Sequence, residues 1–201
     1  MADPSYIDPA TGVLLDGEAW VALATAAPSS ADVECSTPAD GSSLDWSQFM
    51  DLVAICYWQA VTGSSADIKL LINDRTSWPG YREQRNFGYG SDMDATQYGG
   101  TFTDRDDLIV GGWPGADLGS NEFGCAVINF FDINSSKSKT ALWLSAGDWD
   151  GGASTSGYCE WNVGTLSHED PITVIDFTAS GGFSAGTRID LFGVLPRMVT
   201  V

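Results

Sequence analysis

Carboxylates are the side chains in this sequence most able to perform chemistry. Two closely spaced groups stand out: Asp104, Asp106 and Asp107, and Asp148, Asp150 and Glu160. Glycoside hydrolysis needs one carboxylic acid with a raised pKa at a set distance from a second carboxylate. Because the chain holds 27 acidic residues, close pairs also arise by chance. We therefore expect neither group to be a catalytic pair.

The single histidine, His168, is the only candidate for the base of a Ser-His-Asp triad. It lies in a polar segment before a predicted strand, and no nucleophile elbow, which needs a Ser on a turn between a strand and a helix, accompanies it. The sequence contains neither a P-loop nor a dinucleotide-binding glycine motif. We expect His168 to be an exposed turn residue, and the chain to be no enzyme and to need no cofactor.

Metal binding has one candidate segment, residues 148–152, which read Asp-Trp-Asp-Gly-Gly. Alternating Asp before Gly supplies oxygen ligands and a tight turn, but the later ligands of a calcium loop are missing. We predict a plain acidic turn, with a structural cation site as the alternative. The cysteines form no C-x-x-C pair, so we predict no zinc site. We expect all four to be reduced and buried, with disulfides as the alternative: Cys35, Cys56, Cys125 and Cys159.

Aromatic side chains offer binding rather than catalysis. Trp58, Trp143 and Trp161 lie inside strand-like runs, which predicts core or sheet-face positions. Four further aromatics lie in predicted loops or turns, close to Gly or Pro: Trp78, Tyr81, Trp113 and Trp149. Such residues suit a subunit interface or a glycan site, and we favour the interface.

Charge excludes several partners. The formal net charge is −18, and the first basic side chain along the chain is Lys69. Such a surface repels nucleic acid and anionic membranes. The negative charge is consistent with high solubility or with a salty environment. It is also consistent with a surface that faces outward, or with a patch that docks on a basic partner. No apolar run is long enough to span a bilayer, and the N-terminus lacks the features of a secretory signal, so we expect synthesis and assembly in a cytoplasm.

Short strand-like runs dominate the chain from residue 20 onward. They recur at intervals of roughly 10–20 residues without an amphipathic helix between them, which predicts an all-β, antiparallel two-sheet sandwich of jelly-roll type. The run at 49–61 could be helical, but its Val, Ile, Tyr and Trp favour a central strand. We expect it to form a hairpin with 68–72. The predicted runs are 20–25, 32–36, 49–61, 68–72, 108–110, 126–133, 140–144, 158–162, 172–177 and 187–194.

Two regions do not follow this pattern. Residues 1–18 are rich in Asp, Pro and Gly, which indicates an extended acidic arm ordered by docking. Its apolar side chains are the expected docking contacts: Tyr6, Ile7, Val13, Leu14 and Leu15. The remainder, 19–201, is predicted to be a single domain with a long irregular insertion at about 73–124.

An ordered series of motifs in the second half suggests a family. Residues 128–133 are followed by the Lys-Ser-Lys-Thr turn at 137–140 and a strand that contains Trp143. Later come Gly-Gly-Phe at 181–183 and Arg-Ile-Asp-Leu-Phe-Gly-Val at 188–194. Over roughly residues 20–195, this order resembles the small jelly-roll virion structural proteins of tailed bacteriophages.

The resemblance implies a subunit that assembles on a phage head or tail without enzymatic activity. From it we expect a capsid decoration or cement protein that binds the major capsid protein, or a tail protein, of the same virion. We expect a homo-oligomer, a trimer, with the arm reaching across neighbouring subunits. The alternative is a tail-fibre or baseplate module that binds host glycans through its loop aromatics.

Overall fold

The computed structural model describes residues 20–28, 32–38, 44–61, 67–74, 80–89, 92–98, 107–112, 122–150, 155–179 and 181–195. In these ranges the chain forms twelve β-strands and one short 3-10 helix, Trp46–Gln48. The strands are β1 Trp20–Ala26, β2 Val33–Ser36, β3 Asp51–Trp58, β4 Asp67–Ile72, β5 Tyr81–Tyr89, β6 Asp92–Tyr98, β7 Leu108–Gly112, β8 Gly124–Phe131, β9 Lys139–Asp150, β10 Thr155–Leu166, β11 Val174–Thr178 and β12 Arg188–Val194.

Two antiparallel sheets contain all these strands. The large sheet has the order β1-β12-β3-β8-β9-β10-β5-β6, and the small sheet has the order β2-β11-β4-β7. Four nested pairs join strands that are distant in sequence: β1 with β12, β2 with β11, β3 with β8 and β4 with β7. Successive pairs alternate between the two sheets, which is the topology of a jelly roll. The predicted fold class is confirmed.

Two inserted hairpins add four strands to the four jelly-roll strands of the large sheet. Strands β5 and β6 lie between β4 and β7 in the chain, and β9 and β10 lie between β8 and β11. They add the order β9-β10-β5-β6 to the free side of β8. The region predicted to be an irregular insertion, about 73–124, contains β5 and β6 in addition to the predicted strand at 108–110, which is part of β7.

The core lies between the sheets and is filled by alternate residues of each strand. In β12, Ile189 and Leu191 are fully buried, whereas Arg188 is exposed. Trp58 and Trp143 are the largest fully buried side chains, as their position in strand-like runs predicts. The packing is tight: a Cβ on Gly193 would lie 2.5 Å from the Phe49 ring.

One prediction about strand pairing is wrong. The runs at 49–61 and 68–72 do not form a hairpin, since β3 pairs with β12 and β8 in the large sheet and β4 pairs with β11 and β7 in the small one. The jelly roll sends consecutive strands to opposite sheets, and this tertiary pairing overrides the turn between them.

The cysteines divide into two kinds. All four are free thiols, and Cys35 and Cys56 are buried as predicted. Burial, with a contribution from Asp176, raises the pKa of the Cys35 thiol to about 11. Cys125 and Cys159 are instead exposed, and for them the prediction of a core position is wrong. They occupy outward positions of β8 and β10.

Candidate functional site

The outer face of the large sheet carries an unbroken row of apolar side chains. Ile55 of β3 pairs with Val127 of β8, which pairs with Leu144 of β9. Leu144 in turn pairs with Trp161 of β10. Directly paired residues in an antiparallel sheet share a face, so these four side chains line up across four strands, a span of about 14 Å.

Neighbouring rows extend this surface along the strands. Tyr57 lies beside the row in β3 and stacks on Phe123, with ring centroids 4.6 Å apart. Leu144 and Trp161 are each 61% exposed, which is far from the burial usual for such residues. We call this surface the apolar face, and define it by the large exposed side chains of the central strands: Ile55, Tyr57, Val127, Phe131, Leu144, Trp161 and Val163.

The apolar face is free of charge among its described residues. Outward positions 53–57 of β3, 125–131 of β8, 140–146 of β9 and 159–165 of β10 hold only apolar, thiol, hydroxyl or amide side chains. Charged side chains begin at its borders, with Asp190 and Arg188 on β12 and Arg82 on β5. Depletion of charge from the centre with a charged rim is the composition of a protein–protein interface.

The opposite outer face, on the small sheet, is acidic. Glu34 of β2 lies directly opposite Asp176 of β11, and Asp74 hydrogen-bonds to the Asp176 side chain. Partial burial, followed by the bond to Asp74 and by nearby carboxylates, raises the pKa of Asp176 to about 6. The described cation of this face, Lys69, is paired with Asp107 at 2.9 Å. The two faces of the sandwich thus have opposite character.

A polar cluster lies inside the sandwich, where β10 and β5 extend the large sheet. The Arg85 guanidinium contacts Glu160 and lies 3.4 Å from Glu83. Glu160 also accepts a hydrogen bond of 2.7 Å from Asn162, and Glu83 accepts one of 2.9 Å from the backbone N–H of Ile109. Arg85 thus links two carboxylates, and each of these also accepts a hydrogen bond from another group.

This cluster connects the two sheets of the sandwich. Glu83 reaches from β5 of the large sheet to β7 of the small sheet, so its carboxylate bridges the two layers. Both carboxylates contact the same cation, Arg85. Glu160, a member of one suggested catalytic group, therefore has a structural partner in Arg85.

Tyr81 is not the loop aromatic that was predicted. It is the first residue of β5 and is completely buried. Its hydroxyl accepts a hydrogen bond of 2.7 Å from the Ile72 N–H and donates one of 3.2 Å to the Ile72 carbonyl. Because no part of the side chain reaches solvent, the prediction that Tyr81 contacts a glycan or another subunit is wrong.

The other predicted aromatic contacts are only partly placed. Trp149 lies in β9 opposite Ser156, so segment 148–150 is strand and not the predicted acidic turn. Trp78 and Trp113 lie outside the described residues, as do the arm residues Tyr6, Ile7, Val13, Leu14 and Leu15.

The remaining candidates for chemistry are dispersed. Asp104 and Asp106 lie outside the described residues, and Asp107 pairs with Lys69. His168 lies in the loop before β11 and is half-buried rather than exposed; its Nδ1 accepts a hydrogen bond of 3.1 Å from the Asp170 N–H. Within the described ranges, no three His, Cys, Asp or Glu side chains are grouped to hold a metal ion. Nor does that part of the chain contain a helix long and apolar enough to cross a membrane.

Topology and surface together define the class of protein: a jelly-roll sandwich with one apolar and one acidic outer face. Comparison of the chain with protein-family models, with curated proteins and with solved structures gave no match.

Sequence reasoning missed the apolar face, although a signal for it exists. An antiparallel strand with one solvated face alternates apolar and polar residues, whereas a near-continuous apolar run indicates a strand covered on both faces. Strands β3, β8 and β9 read DLVAICYW, GCAVINFF and, in part, TALWLSA. The core covers one face of each strand, and the other carries the exposed side chains of the apolar face.

Proposed function

We propose that the chain is a non-enzymatic structural subunit of a bacteriophage virion, a capsid decoration protein that binds and stabilises the head shell. The jelly-roll topology and the motif resemblance over residues 20–195 support this assignment. Rigid sandwiches of this type serve in capsids because their closed double sheet presents large, fixed surfaces.

The contrast between the two outer faces carries the proposal. A subunit of an assembly buries one surface and exposes another, and here the apolar face is suited to burial and the acidic face to solvent. The apolar face holds a continuous group of exposed apolar side chains, of which Leu144 and Trp161 are the most exposed. A soluble surface normally carries such side chains only singly. The acidic face keeps the exterior of the particle hydrated.

Attachment to the shell is assigned to the arm, residues 1–18. Its apolar side chains between Tyr6 and Leu15 dock on the major capsid protein, while the sandwich projects outward as part of a homo-oligomer. An extended arm buries much surface for its length, so it suits a partner with a flat exterior. On this assignment the protein is synthesised in the host cytoplasm and resides in the virion.

Reconstitution on heads tests this proposal. Heads are prepared from a phage whose gene for this chain is deleted, and the purified chain is added back. We expect the full chain to sediment with the heads and to raise the temperature at which they release DNA. The chain lacking residues 1–18, with an unchanged circular dichroism spectrum, should stay in the supernatant.

Two results would contradict the proposal. Failure of the full chain to sediment with heads removes the decoration function. Binding of the chain to host cells, with loss of that binding in Trp113→Ala or Trp149→Ala, would favour the glycan-binding alternative instead.

A further inference from the structure

The apolar face requires an occupant, and its area indicates what size of partner fits. With aromatic side chains of ~150–250 Å² and aliphatic ones somewhat smaller, the exposed fractions amount to on the order of 700 Å². The largest apolar patch on a typical monomer is about 300–600 Å², and a standard interface buries ~800 Å² per partner. The face is therefore large enough to form the centre of one stable interface.

We propose that the occupant is a second copy of this chain, docked face to face through the apolar face about a two-fold axis. This inference goes beyond the decoration function and does not depend on it. Two sheets that pack in this way lie about 10 Å apart with their strands within about 30° of each other. The pair is isologous, so each copy contributes the same residues.

A two-fold axis parallel to the strands, between β8 and β9, gives a complementary fit. It reverses the strand order, so that Leu144 of one copy faces Val127 of the other. The same operation lays Trp161 over Ile55, a large side chain against a smaller one. At the border, Asp190 of one copy faces Asn86 on β5 of the other, a carboxylate opposite an amide.

Electrostatics favour this pair over other self-associations. A ring of three or more copies needs a second, different patch that accepts the apolar face, and the other broad outer face among the described residues holds Glu34, Asp74 and Asp176. Burying Leu144 and Trp161 against carboxylates would strip those carboxylates of water at high cost. Face-to-face docking instead places the two acidic faces on opposite sides of the dimer. Their separation then exceeds the screening length of about 8 Å at physiological salt.

The molar mass of the protein in solution tests the proposed dimer directly. The full chain is analysed by sedimentation equilibrium in reducing buffer over a wide concentration range. We expect the mass of two copies for the natural sequence and of one copy for Leu144→Glu, with dimerisation weakened at least about 100-fold because two carboxylates are brought together near the axis. Met50→Glu is the matched control, since it adds the same charge at an exposed apolar side chain outside the defined face and should remain dimeric. Trp161→Thr keeps β-propensity without adding charge and should also weaken the dimer.

Native thiols provide a second readout of the same face. Cys125 and Cys159 lie in the outward row next to Leu144, paired on either side of Ala146. Their reaction with a disulfide reagent should slow as protein concentration rises, and should be fast and concentration-independent in Leu144→Glu. Cys35 and Cys56 should stay unreactive until the chain is unfolded.

A natural chain that is monomeric at all concentrations, or that forms a trimer, overturns the proposal. So does a dimer that survives Leu144→Glu and Trp161→Thr, or one in which Cys125 and Cys159 react at the monomer rate. These measurements need only the purified chain, so their failure is distinct from failure to bind heads.

Discussion

Tyr81→Phe tests how much a single buried hydroxyl, bound to the backbone at the end of β4, contributes to stability. Among the described residues, the pairing of β7 with β4 runs from Asp67 to Leu70, which lies opposite Leu108. Two residues further along β4, the Tyr81 hydroxyl binds both the N–H and the carbonyl of Ile72, at 2.7 and 3.2 Å. Ile72 is only 2% exposed, so water cannot readily take over these bonds.

The expected cost follows from the groups left behind. Phenylalanine fills the same space but leaves one buried N–H and one buried carbonyl without their partner. A hydrogen bond contributes about 1 kcal/mol net, and an unsatisfied buried group costs ~1–3 kcal/mol, so we expect a loss of about 2–3 kcal/mol. For a domain of this size, that lowers Tm by roughly 5–10 °C.

Urea unfolding followed by tryptophan fluorescence measures this difference, provided that the slope of the transition is unchanged. Tyr57→Phe is the control, with all proteins measured at a concentration low enough to keep the chain monomeric. In the monomer Tyr57 is 49% exposed on the outer face, so its variant should stay within about 0.5 kcal/mol of the natural chain. Equal stability of Tyr81→Phe and the natural chain would refute the role of the hydroxyl. A loss of glycan binding without a loss of stability would restore Tyr81 as a surface contact.

Two further changes probe the core and the acidic face. Gly193→Ala places a Cβ 2.5 Å from the buried Phe49 ring and should lower the free energy of unfolding by about 1–3 kcal/mol; an unchanged urea midpoint would show that the ring moves aside freely. For Asp176, the folded pKa of about 6 lies above the ordinary aspartate value of 3.8, so the native state binds a proton more tightly than the unfolded chain does. The destabilising effect of this carboxylate therefore grows as pH rises between these two values. Asp176→Asn should therefore stabilise the fold at pH 7 by about 1 kcal/mol after allowance for solvent screening, and should not stabilise it below the lower pKa. A gain of equal size at both pH values would contradict this assignment of the pKa.

Sequence periodicity predicted the jelly-roll strands and the central parts of β9 and β10 but missed β5 and β6, for a physical reason. Strands such as β12 alternate a buried Ile or Leu with an exposed residue, so their pattern is visible. Strand β5 reads YREQRNFGY, and its inward positions include Glu83 and Arg85 of the polar cluster. A strand whose buried face is an ion pair has no apolar period, and only the folded arrangement shows what its charges contact.

The candidate site could not be derived from the sequence for a related reason. Motif reasoning looked for function among loop aromatics and carboxylates, where chemistry usually lies. The apolar face is instead made by register, since Ile55, Val127, Leu144 and Trp161 become neighbours only when four strands pair. Two of those strands, β9 and β10, form an inserted hairpin whose place beside β8 no local pattern specifies.

The inserted strands also explain the two faces of the large sheet. Its inner face is apolar in one part and polar in another, whereas its outer face is apolar across both parts. The small sheet has four strands and the large sheet has eight, so the small sheet cannot cover the whole inner face. Under the jelly-roll strands that face is lined by Trp58 and Ile189, whereas on β10 and β5 it carries Glu160 and Arg85. The outer face follows no such boundary: apolar side chains continue from β3 through β10, across the junction between jelly roll and insertion. The core therefore cannot account for them, and a partner that covers the widened sheet as one surface can.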